Sequence, residues 1–275
     1  MLGSLTEADD AVQEAWLRAS RADASKIDNL GGWLTTIVAR ICLNMLRSRS
    51  RRREEPFSVQ LPDPVVTGEG SLQPEEQALL ADQVGLALLV VLDSLSPAER
   101  LAFVLHDMFE LPFDEIAPMV VRSPAATRQL ASRARRRVRD AEIPVPDPDL
   151  ARQRQVVDAF FKAAREGDFD ALLRILHPDV ILRSDFGAKH RAASVVYRGA
   201  EAVAGQARGF PGALVTPALV NGSAGAVITV RGRPIAILGF TVVDGRIVAI
   251  DGIADPERVR RVAAVLLSGD PRNQA

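Results

Sequence analysis

Apolar positions in the first half of the chain recur with the period of an α-helix. One series follows an acidic stretch, and a second begins after Gly31-Gly32. The members of the two series are Val12, Ala15, Trp16 and Ala19, then Trp33, Ile37, Ile41 and Met45. Spacings of three and four residues place each series on one side of a helix, so Thr6–Arg53 is predicted to be helical.

A proline- and glycine-rich segment, Glu54–Pro74, interrupts this pattern and predicts a linker. Helical periodicity returns over Glu75–Glu142. A helix start is predicted inside this block, because Ser96 can cap, Pro97 suits the first helical position and Glu99 completes a capping box. The first half of the chain is therefore predicted to be all-α in two blocks.

The second half changes to a period of two after two further predicted helices, Leu150–Glu166 and Phe169–Leu176. A proline-rich joint, residues 143–149, precedes them and predicts a semi-rigid connection. The strand-like runs are Val180–Ser184, Ala213–Val220, Ala224–Val230, Pro234–Val243 and Arg246–Ile253, and the hairpin-type turns are Asn221-Gly222, Arg231-Gly232 and Asp244-Gly245. This half is predicted to be α+β with an antiparallel sheet.

The segment Phe113–Asp140 predicts a short helix, a tight turn and a second helix that ends in a block of arginine. This is typical of a helix-turn-helix, whose second helix lies in the major groove of DNA. The face predicted to turn inward carries Thr127, Leu130, Ala131, Ala134 and Val138, the opposite face carries Gln129, Ser132, Arg133 and Arg136, and Arg128, Arg135, Arg137 and Arg139 flank it. A solvated basic helix in an ordinary bundle is the alternative, and the complete unit favours DNA binding.

Composition changes this picture little. The chain has 275 residues, 47% of them hydrophobic and 25% charged, which fits a globular protein of two or three modest domains. Its net charge of −1 hides a separation of charge along the sequence, since arginines gather at Arg47–Arg53 and in the helix-turn-helix. Because salt screens charges beyond about 10 Å, the local field matters more than the total.

A single cysteine, Cys42, excludes a disulfide framework and a cysteine-rich zinc site. Its neighbours are apolar, so it is predicted to be a small buried residue. No signal peptide and no apolar run long enough to cross a bilayer are found, so we expect no membrane partner and a cytoplasmic location.

These blocks resemble the extracytoplasmic-function sigma factors of RNA polymerase. Thr6–Arg18 is similar to the region-2 helix that docks on the polymerase clamp, and Gly32–Arg53 to the following helix, which is used on the −10 promoter element. Ser96–Arg137 resembles region 4, which reads the −35 element. Because the blocks match in the right order, the resemblance implies that core RNA polymerase and promoter DNA are partners and that no cofactor, metal or catalytic residue is needed.

The resemblance assigns roles to individual residues. Polymerase contact is implied for Asp9, Asp10, Gln13, Glu14 and Trp16, although these carboxylates could also line a solvated helix face. Contact with the −10 element is implied for Arg40, Asn44, Arg47 and Arg51. Contact with the −35 element is implied for Arg122, Ser123, Ala126, Arg128, Gln129, Ser132, Arg133 and Arg136.

Three features depart from the family pattern. The chain begins at Met1 without the helix that normally precedes this part of region 2, so Val12 and Trp16 are expected to be exposed. This predicts either a start placed downstream of the true one or weakened polymerase binding. Val121 stands in the turn where glycine is usual, which predicts either a slightly different turn or backbone strain. The paired-proline linker motif is only partly present, as Leu61-Pro62-Asp63-Pro64.

The second half resembles the SnoaL-like, nuclear-transport-factor-2-like extension of one subfamily, a cone with a pocket. Asp185-Phe186-Gly187-Ala188-Lys189 is similar to its DGGGK loop, and Asp255-Pro256-Glu257-Arg258 to its NPDK motif. The resemblance implies regulatory contacts with the sigma core through Asp185, Gly187, Lys189, Asp255 and Pro256. His177, Asp179, His190 and Asp251, with Asp185, are the ionisable candidates for catalysis, but no nucleophile and base can be paired from spacing. A small-molecule ligand in the pocket is also an expectation.

The predicted fold is multidomain, with two all-α sigma domains followed by an α+β cone that has a curved antiparallel sheet. The predicted boundaries are 1–54 (region 2, short at its N-terminus), 55–74 (linker), 75–142 (region 4), 143–149 (proline-rich linker) and 150–275 (SnoaL-like regulatory domain). Two other classes stay open. One is a free-standing helix-turn-helix regulator, which would need a symmetric dimer, and the other is a SnoaL-type cyclase or isomerase with a vestigial sigma part.

Overall fold

The computed structural model describes residues 1–22, 27, 29–52, 61–68, 86–141, 144–187, 194–207 and 212–267. The chain forms two compact units. The first contains Met1–Phe57 and Leu88–Ile143, and the second contains Ser58–Ala87 and Pro144–Ala275. Among the described helices, none is both long enough and apolar enough to span a membrane.

The first unit is helical, as its apolar periodicity predicts. A π-helical turn, Val104–Met108, extends helix α4, and a short turn joins α5 to α6. The helices are α1 (Leu5–Ala19), α2 (Leu30–Arg52), α3 (Leu86–Ser94), α4 (Pro97–Phe103), α5 (Phe113–Val120) and α6 (Pro124–Asp140). The predicted capping box is confirmed, because Ser96 accepts from the backbone of Glu99 and the Glu99 carboxylate accepts from the backbone of Ser96.

Two apolar clusters form the core of this unit. One joins α2, α4, α5 and α6 through Leu43, Leu101, Ile116 and Ala131, among others. The other joins α1 to α2 through small residues, Ala11 and Ala15, packed against Ile41, Cys42 and Leu46. Cys42 is buried as predicted, and burial raises the pKa of its thiol. Because α1 packs on α2 through alanines, its larger apolar side chains Val12 and Trp16 lie exposed, as expected.

The second unit is α+β. Its helices are α7 (Leu150–Glu166), α8 (Phe169–Ile175), α9 (Ala200–Gln206) and α10 (Pro256–Leu267). Its strands are β1 (Val66–Gly68), β2 (Leu176–Asp185), β3 (Ser194–Arg198), β4 (Ala213–Val220), β5 (Ser223–Val230), β6 (Arg233–Val243) and β7 (Arg246–Ile253). They form one sheet in the order β1-β4-β5-β6-β7-β2-β3. The described neighbours pair antiparallel except β2 and β7, which run parallel.

The three predicted hairpin turns are confirmed. Asn221, Arg231 and Asp244 have φ of 51°, 50° and 50°, and a glycine with positive φ follows each of them. Two consecutive residues in this region give a turn whose twist matches that of the flanking strands. These turns therefore set the register of β4 through β7, and the apolar alternation decides which side of each strand is buried.

The two sides of this sheet have different neighbours. Phe160 and Phe161 of α7 pack edge-on against Phe240 of β6 and begin the core on one side. Along β2 the side chains alternate, so Leu182 and Ser184 share that side while Arg183 and Asp185 lie on the other. The second side carries the α10 contacts with β6 and β1. Strand β1 was not predicted, because it lies in the segment that composition marks as a linker.

Candidate nucleic-acid interface

Helices α5 and α6 form the predicted helix-turn-helix. Val121 in the turn adopts a left-handed conformation, with φ 59° and ψ 54°, and most of its side chain is exposed. Ser123 caps α6 by accepting from the backbone N–H of Ala126 at 3.2 Å, and Pro124 occupies the first turn. The local sequence thus specifies both the turn and the start of the second helix, although the turn holds a residue that is disfavoured there.

We expect Val121→Gly to raise the free energy of unfolding of the first unit by about 1 kcal/mol, because a β-branched residue resists positive φ and glycine does not. The side chain is 71% exposed, so its removal costs little packing. Val121→Ala is the matched control, since it removes the same methyl groups but keeps the Cβ. Chemical denaturation of the three proteins measures the difference, and equal stability of the glycine and alanine variants would contradict the strain.

The amphipathic pattern predicted for α6 is confirmed. Thr127, Leu130, Ala131 and Ala134 are buried, and Val138 is half-buried. The opposite face is exposed and carries Arg128, Gln129, Ser132, Arg133 and Arg136. At the start of the helix Arg122 and Ser123 are exposed and Ala126 is half-buried. The structure therefore gathers the predicted −35 residues on one accessible surface.

Ion pairs within the unit divide the arginines of the helix-turn-helix into two groups. Arg133 and Arg137 both reach Glu99 of α4, at 3.2 and 3.1 Å, and Arg135 pairs with Asp107 at 2.5 Å. Burial alone would raise the pKa of Glu99, but the hydrogen bonds from Ser96 and the charges of Arg137 and Arg133 outweigh it and lower the pKa. Sequence reasoning missed these pairs, since Glu99 lies 34 residues before Arg133.

The second group of arginines keeps its charge available. Within the part of the chain that the structure describes, Arg122, Arg128, Arg136 and Arg139 have no carboxylate in salt-bridge distance, and Arg128 lies 5.3 Å from the centre of the Phe113 ring. The cation–π contact orients Arg128 without neutralising it. These four arginines give the helix-turn-helix a cationic surface of the kind that binds phosphate.

Helix α2 presents a second polar stripe. Arg40, Asn44 and Arg47 are exposed and lie three or four residues apart, hence on one side of the helix. Arg51 continues the stripe by position, but its side chain lies outside the described residues. Arg49 belongs to the same basic run, yet it turns inward, donates to the carbonyl of Leu2 at 2.9 Å and lies 3.6 Å from Glu7.

Helix α1 exposes carboxylates beside apolar side chains. Asp9, Asp10, Gln13 and Glu14 are exposed, with Glu14 in an ion pair to Arg18. Trp16 is 72% exposed, and Val12 and Leu17 extend the apolar surface around it. An exposed tryptophan rimmed by charge is typical of a protein-binding surface.

In the second unit, the structure brings together four of the five residues predicted to make regulatory contacts. Gly187 donates its backbone N–H to Asp185 at 2.9 Å, and a Cβ on Gly187 would lie 1.9 Å from the Asp255 carboxylate. Asp255 accepts from the backbone of Glu257 and Arg258, so it caps α10, whose first residue is Pro256. Lys189, the fifth residue, lies outside the described residues, as does His190.

Arg258 connects these residues to a segment of the predicted linker. We call Leu61–Gly68 the strap, and Arg258, Asp63 and Asp185 the Arg258 cluster. The guanidinium donates to Asp63 at 2.5 Å, to Asp185 at 2.6 Å and to the carbonyl of Leu61 at 2.5 Å. Burial would lower the pKa of Arg258, but the two carboxylates outweigh it and raise the pKa. Asp63 and Asp185 are 4% and 2% exposed, so the guanidinium offsets part of the cost of burying their charges.

The rest of the strap is held by backbone pairing. Asp185 also accepts from the N–H of Leu61 at 2.9 Å, and the Asn221 side chain accepts from the N–H of Val65 at 2.8 Å. Strand β1 then pairs antiparallel with the end of β4, Val66 opposite Val220. The strap is therefore an integral part of the second unit.

Three of the ionisable residues considered for catalysis have side chains engaged in structural contacts. Asp185 belongs to the Arg258 cluster, and Asp251 forms a two-pronged ion pair with Arg183. His177 accepts a hydrogen bond from the backbone of Asp179. The second unit also contains a cavity of about 690 Å³, and none of these three residues lines it. Within the described residues, no group of three or more potential ligands could hold a metal ion.

Comparison with known families matches both helical blocks. Residues 1–52 match the model for Sigma-70 region 2, and residues 85–138 match the model for Sigma-70, region 4. The C-terminal half lies outside both matched ranges. The two matches contain α1 with α2 and the helix-turn-helix, respectively.

Relatives of known identity extend the match beyond these two blocks. The ECF RNA polymerase sigma factor SigJ of Mycobacterium tuberculosis H37Rv is 39% identical over 273 residues, covering 94% of this chain and 87% of that protein. The Probable ECF RNA polymerase sigma factor SigI of M. tuberculosis CDC 1551 is 40% identical, covering 66% of this chain and 62% of that protein. The crystal structure of the M. tuberculosis extracytoplasmic function sigma factor SigJ superimposes with a TM-score of 0.70 at 36% identity, covering 93% of this chain and 90% of that chain. The chain therefore belongs to the extracytoplasmic-function sigma factors, which direct RNA polymerase to initiate transcription.

Proposed function

We propose that the exposed face of α6 reads the −35 element and that the polar stripe of α2 contacts the −10 element. The observation that supports this most directly is the cationic surface of the helix-turn-helix, where, within the described part of the chain, Arg128 and Arg136 form no ion pair and lie beside Gln129 and Ser132. Arginine suits guanine edges and phosphate, and glutamine suits adenine. On α2, Asn44 lies between Arg40 and Arg47, so one amide can reach base edges while the arginines contact phosphate.

We assign polymerase contact to the exposed surface of α1. Asp9, Asp10 and Gln13 supply polar groups around Trp16, and complementary charge on a basic polymerase helix would steer the encounter. A free-standing regulator would have no use for this surface. An enzyme is not favoured either, because the described walls of the cavity carry no carboxylate, imidazole, thiol or amine, and the Tyr197 phenol there has no such group among the described lining residues to act with it.

We further propose that the C-terminal domain controls the sigma activity through the strap. The strap belongs to the chain segment between the two sigma regions, and the Arg258 cluster binds it within the second unit. Holding that segment limits the arrangements that the two DNA-binding regions can adopt. The proposed domains are those of the sequence analysis, with part of the 55–74 linker recruited into the C-terminal sheet.

The test for promoter reading is Arg136→Ala in the full chain. If Arg136 reads a base, promoter binding weakens by about 1–3 kcal/mol, and if it contacts phosphate, the salt dependence of duplex binding falls by about 0.9 in slope. Fluorescence anisotropy with duplex DNA at several salt concentrations measures both, and run-off transcription with purified core polymerase reports the functional loss. Arg174→Ala, an exposed arginine on α8 of the other unit, is the control. Equal behaviour of the two variants would contradict the assignment.

Removing the residues after Val145 tests the control by the C-terminal domain. The truncated chain keeps the strap sequence but loses Arg258, Asp185 and β4, its binding partners. We expect run-off transcription from a responsive promoter to change, because the linker is then unconstrained. If run-off transcription neither rises nor falls after truncation, the C-terminal domain does not have this regulatory role.

A further inference from the structure

The second unit contains a cavity of about 690 Å³ that has no part in the promoter and polymerase contacts proposed above. Its walls come from α7, α9 and the face of the sheet that α7 covers. Phe160 and Phe161 close one side, and Leu182, Val215 and Ile228 line the strands opposite. A volume of this size holds a molecule of drug-like dimensions.

The walls define the chemistry of an occupant. They are mostly aliphatic and aromatic, and the polar groups among the described lining residues are the Ser184 hydroxyl, the Tyr197 phenol, the Gln206 amide and the exposed guanidinium of Arg165. An apolar body would gain free energy by leaving water, and a hydroxyl or carbonyl on it could find a partner in Ser184, Tyr197 or Gln206. Among the described lining residues the one formal charge is that of Arg165, which is exposed, so a charge deep inside would meet no buried counterion there.

The cavity and the Arg258 cluster share one strand end. Ser184 and Phe186 line the cavity, and Asp185 between them reaches Arg258 and Leu61 on the other side of the sheet. Across the sheet, Gly252 and Ala254 also line the cavity, and the backbone N–H of Ala254 donates to the carbonyl of Asp185 at 2.7 Å. A bound molecule that contacts Ser184 and Phe186 therefore restricts the backbone on both sides of Asp185, which holds the strap.

We propose that this cavity binds an uncharged, largely apolar molecule with a hydroxyl or carbonyl group, and that its occupancy tightens the hold of Asp185 and Arg258 on the strap. Contacts to Ser184 and Phe186 restrict the strand end that carries Asp185, so the occupied domain keeps the strap longer. The binding step stands on the cavity alone. The consequence for transcription rests on the proposed control by the C-terminal domain.

The test uses Nile red, a neutral apolar dye with a carbonyl group, and the full-length chain. We expect saturable binding with a rise in dye fluorescence. Val215→Trp places an indole inside the cavity, in space that the dye would occupy. We expect it to raise the apparent Kd for Nile red by at least about tenfold. Leu214→Trp is the matched control on the same strand, since Leu214 is 64% exposed and points away from the cavity. Ala236→Phe, a second cavity-filling variant, and thermal unfolding of all variants separate blocked binding from misfolding.

Hydrogen–deuterium exchange of peptides covering the strap tests the coupling. Saturating Nile red should slow exchange at Leu61 and Val65 in the wild type and in Leu214→Trp, but not in Val215→Trp.

Equal dye affinity in all correctly folded variants would overturn the site, and binding without slower exchange would overturn the coupling. Saturable binding of dodecanoate without Nile red binding would overturn the neutral ligand class. If truncation after Val145 leaves transcription unchanged while the dye results hold, the proposed control by the C-terminal domain fails and the binding site stands.

Discussion

Replacing Arg258 with alanine is expected to release the strap and to destabilise the second unit by about 3–5 kcal/mol, because two buried carboxylates then lose their cation. Asp63 and Asp185 both contact this guanidinium and are almost fully buried. Asp185 keeps its backbone hydrogen bonds from Leu61 and Gly187, but Asp63 loses its guanidinium partner. Hydrogen–deuterium exchange should therefore speed up first in the strap and only later in the sheet.

Arg260→Ala is the matched control for this variant. Arg260 lies on the same helix, is exposed and donates only to the carbonyl of Pro256 within the described structure. Its replacement removes the same charge and should leave both denaturant unfolding and strap exchange close to wild type. If Arg258→Ala and Arg260→Ala exchange at equal rates in the strap, the Arg258 cluster does not hold this segment.

Gly187→Ala is expected to lower the free energy of unfolding of the second unit by about 2–4 kcal/mol. This is the sum of the costs of an unfavourable backbone conformation and of overpacking. Gly187 has φ of 82°, and its added Cβ would lie 1.9 Å from one atom of the Asp255 carboxylate and 2.8 Å from another. Asp255 cannot yield freely, since it caps α10 through the backbone of Glu257 and Arg258. The clash should move the start of α10 and with it the Arg258 guanidinium.

Gly167→Ala separates the two causes. Gly167 also has positive φ, 68°, but nothing lies within 4 Å of its added Cβ. It should therefore show only the conformational cost, about 1 kcal/mol. Denaturant unfolding gives the difference between the two variants, and strap exchange should change in Gly187→Ala alone. If the two variants have the same free energy of unfolding, the Asp255 side chain can move away from the added Cβ without destabilising the protein.

Local patterns in the sequence predicted the elements that depend on near neighbours. The period of α6 identified its buried residues, and the Asn-Gly type turns identified the hairpins from β4 to β7, because both depend on residues only a few positions apart. The same reasoning placed the exposed arginines of α6 on one face. The roles of these residues in DNA and polymerase contact stay predictions.

Contacts between distant residues could not be predicted in this way. Arg133 was assigned to DNA alone, yet it also pairs with Glu99 of another helix. The Arg258 cluster joins residues 195 positions apart, and no period or spacing reports such a pair. Strand β1 has three residues after Pro64, too few for an alternating pattern, and it becomes a strand because the edge of β4 offers hydrogen bonds.

The pairing of β1 with β4 has a consequence for the protein at high concentration. When the strap leaves, the backbone N–H and C=O groups of β4 opposite Val66–Gly68 lose their partners, and β4 becomes an open sheet edge. The same strap from a second molecule offers the identical register, the same carboxylate and the same arginine contact. Release of the segment in one molecule thus opens a route to domain swapping, in which two copies exchange straps and form a dimer.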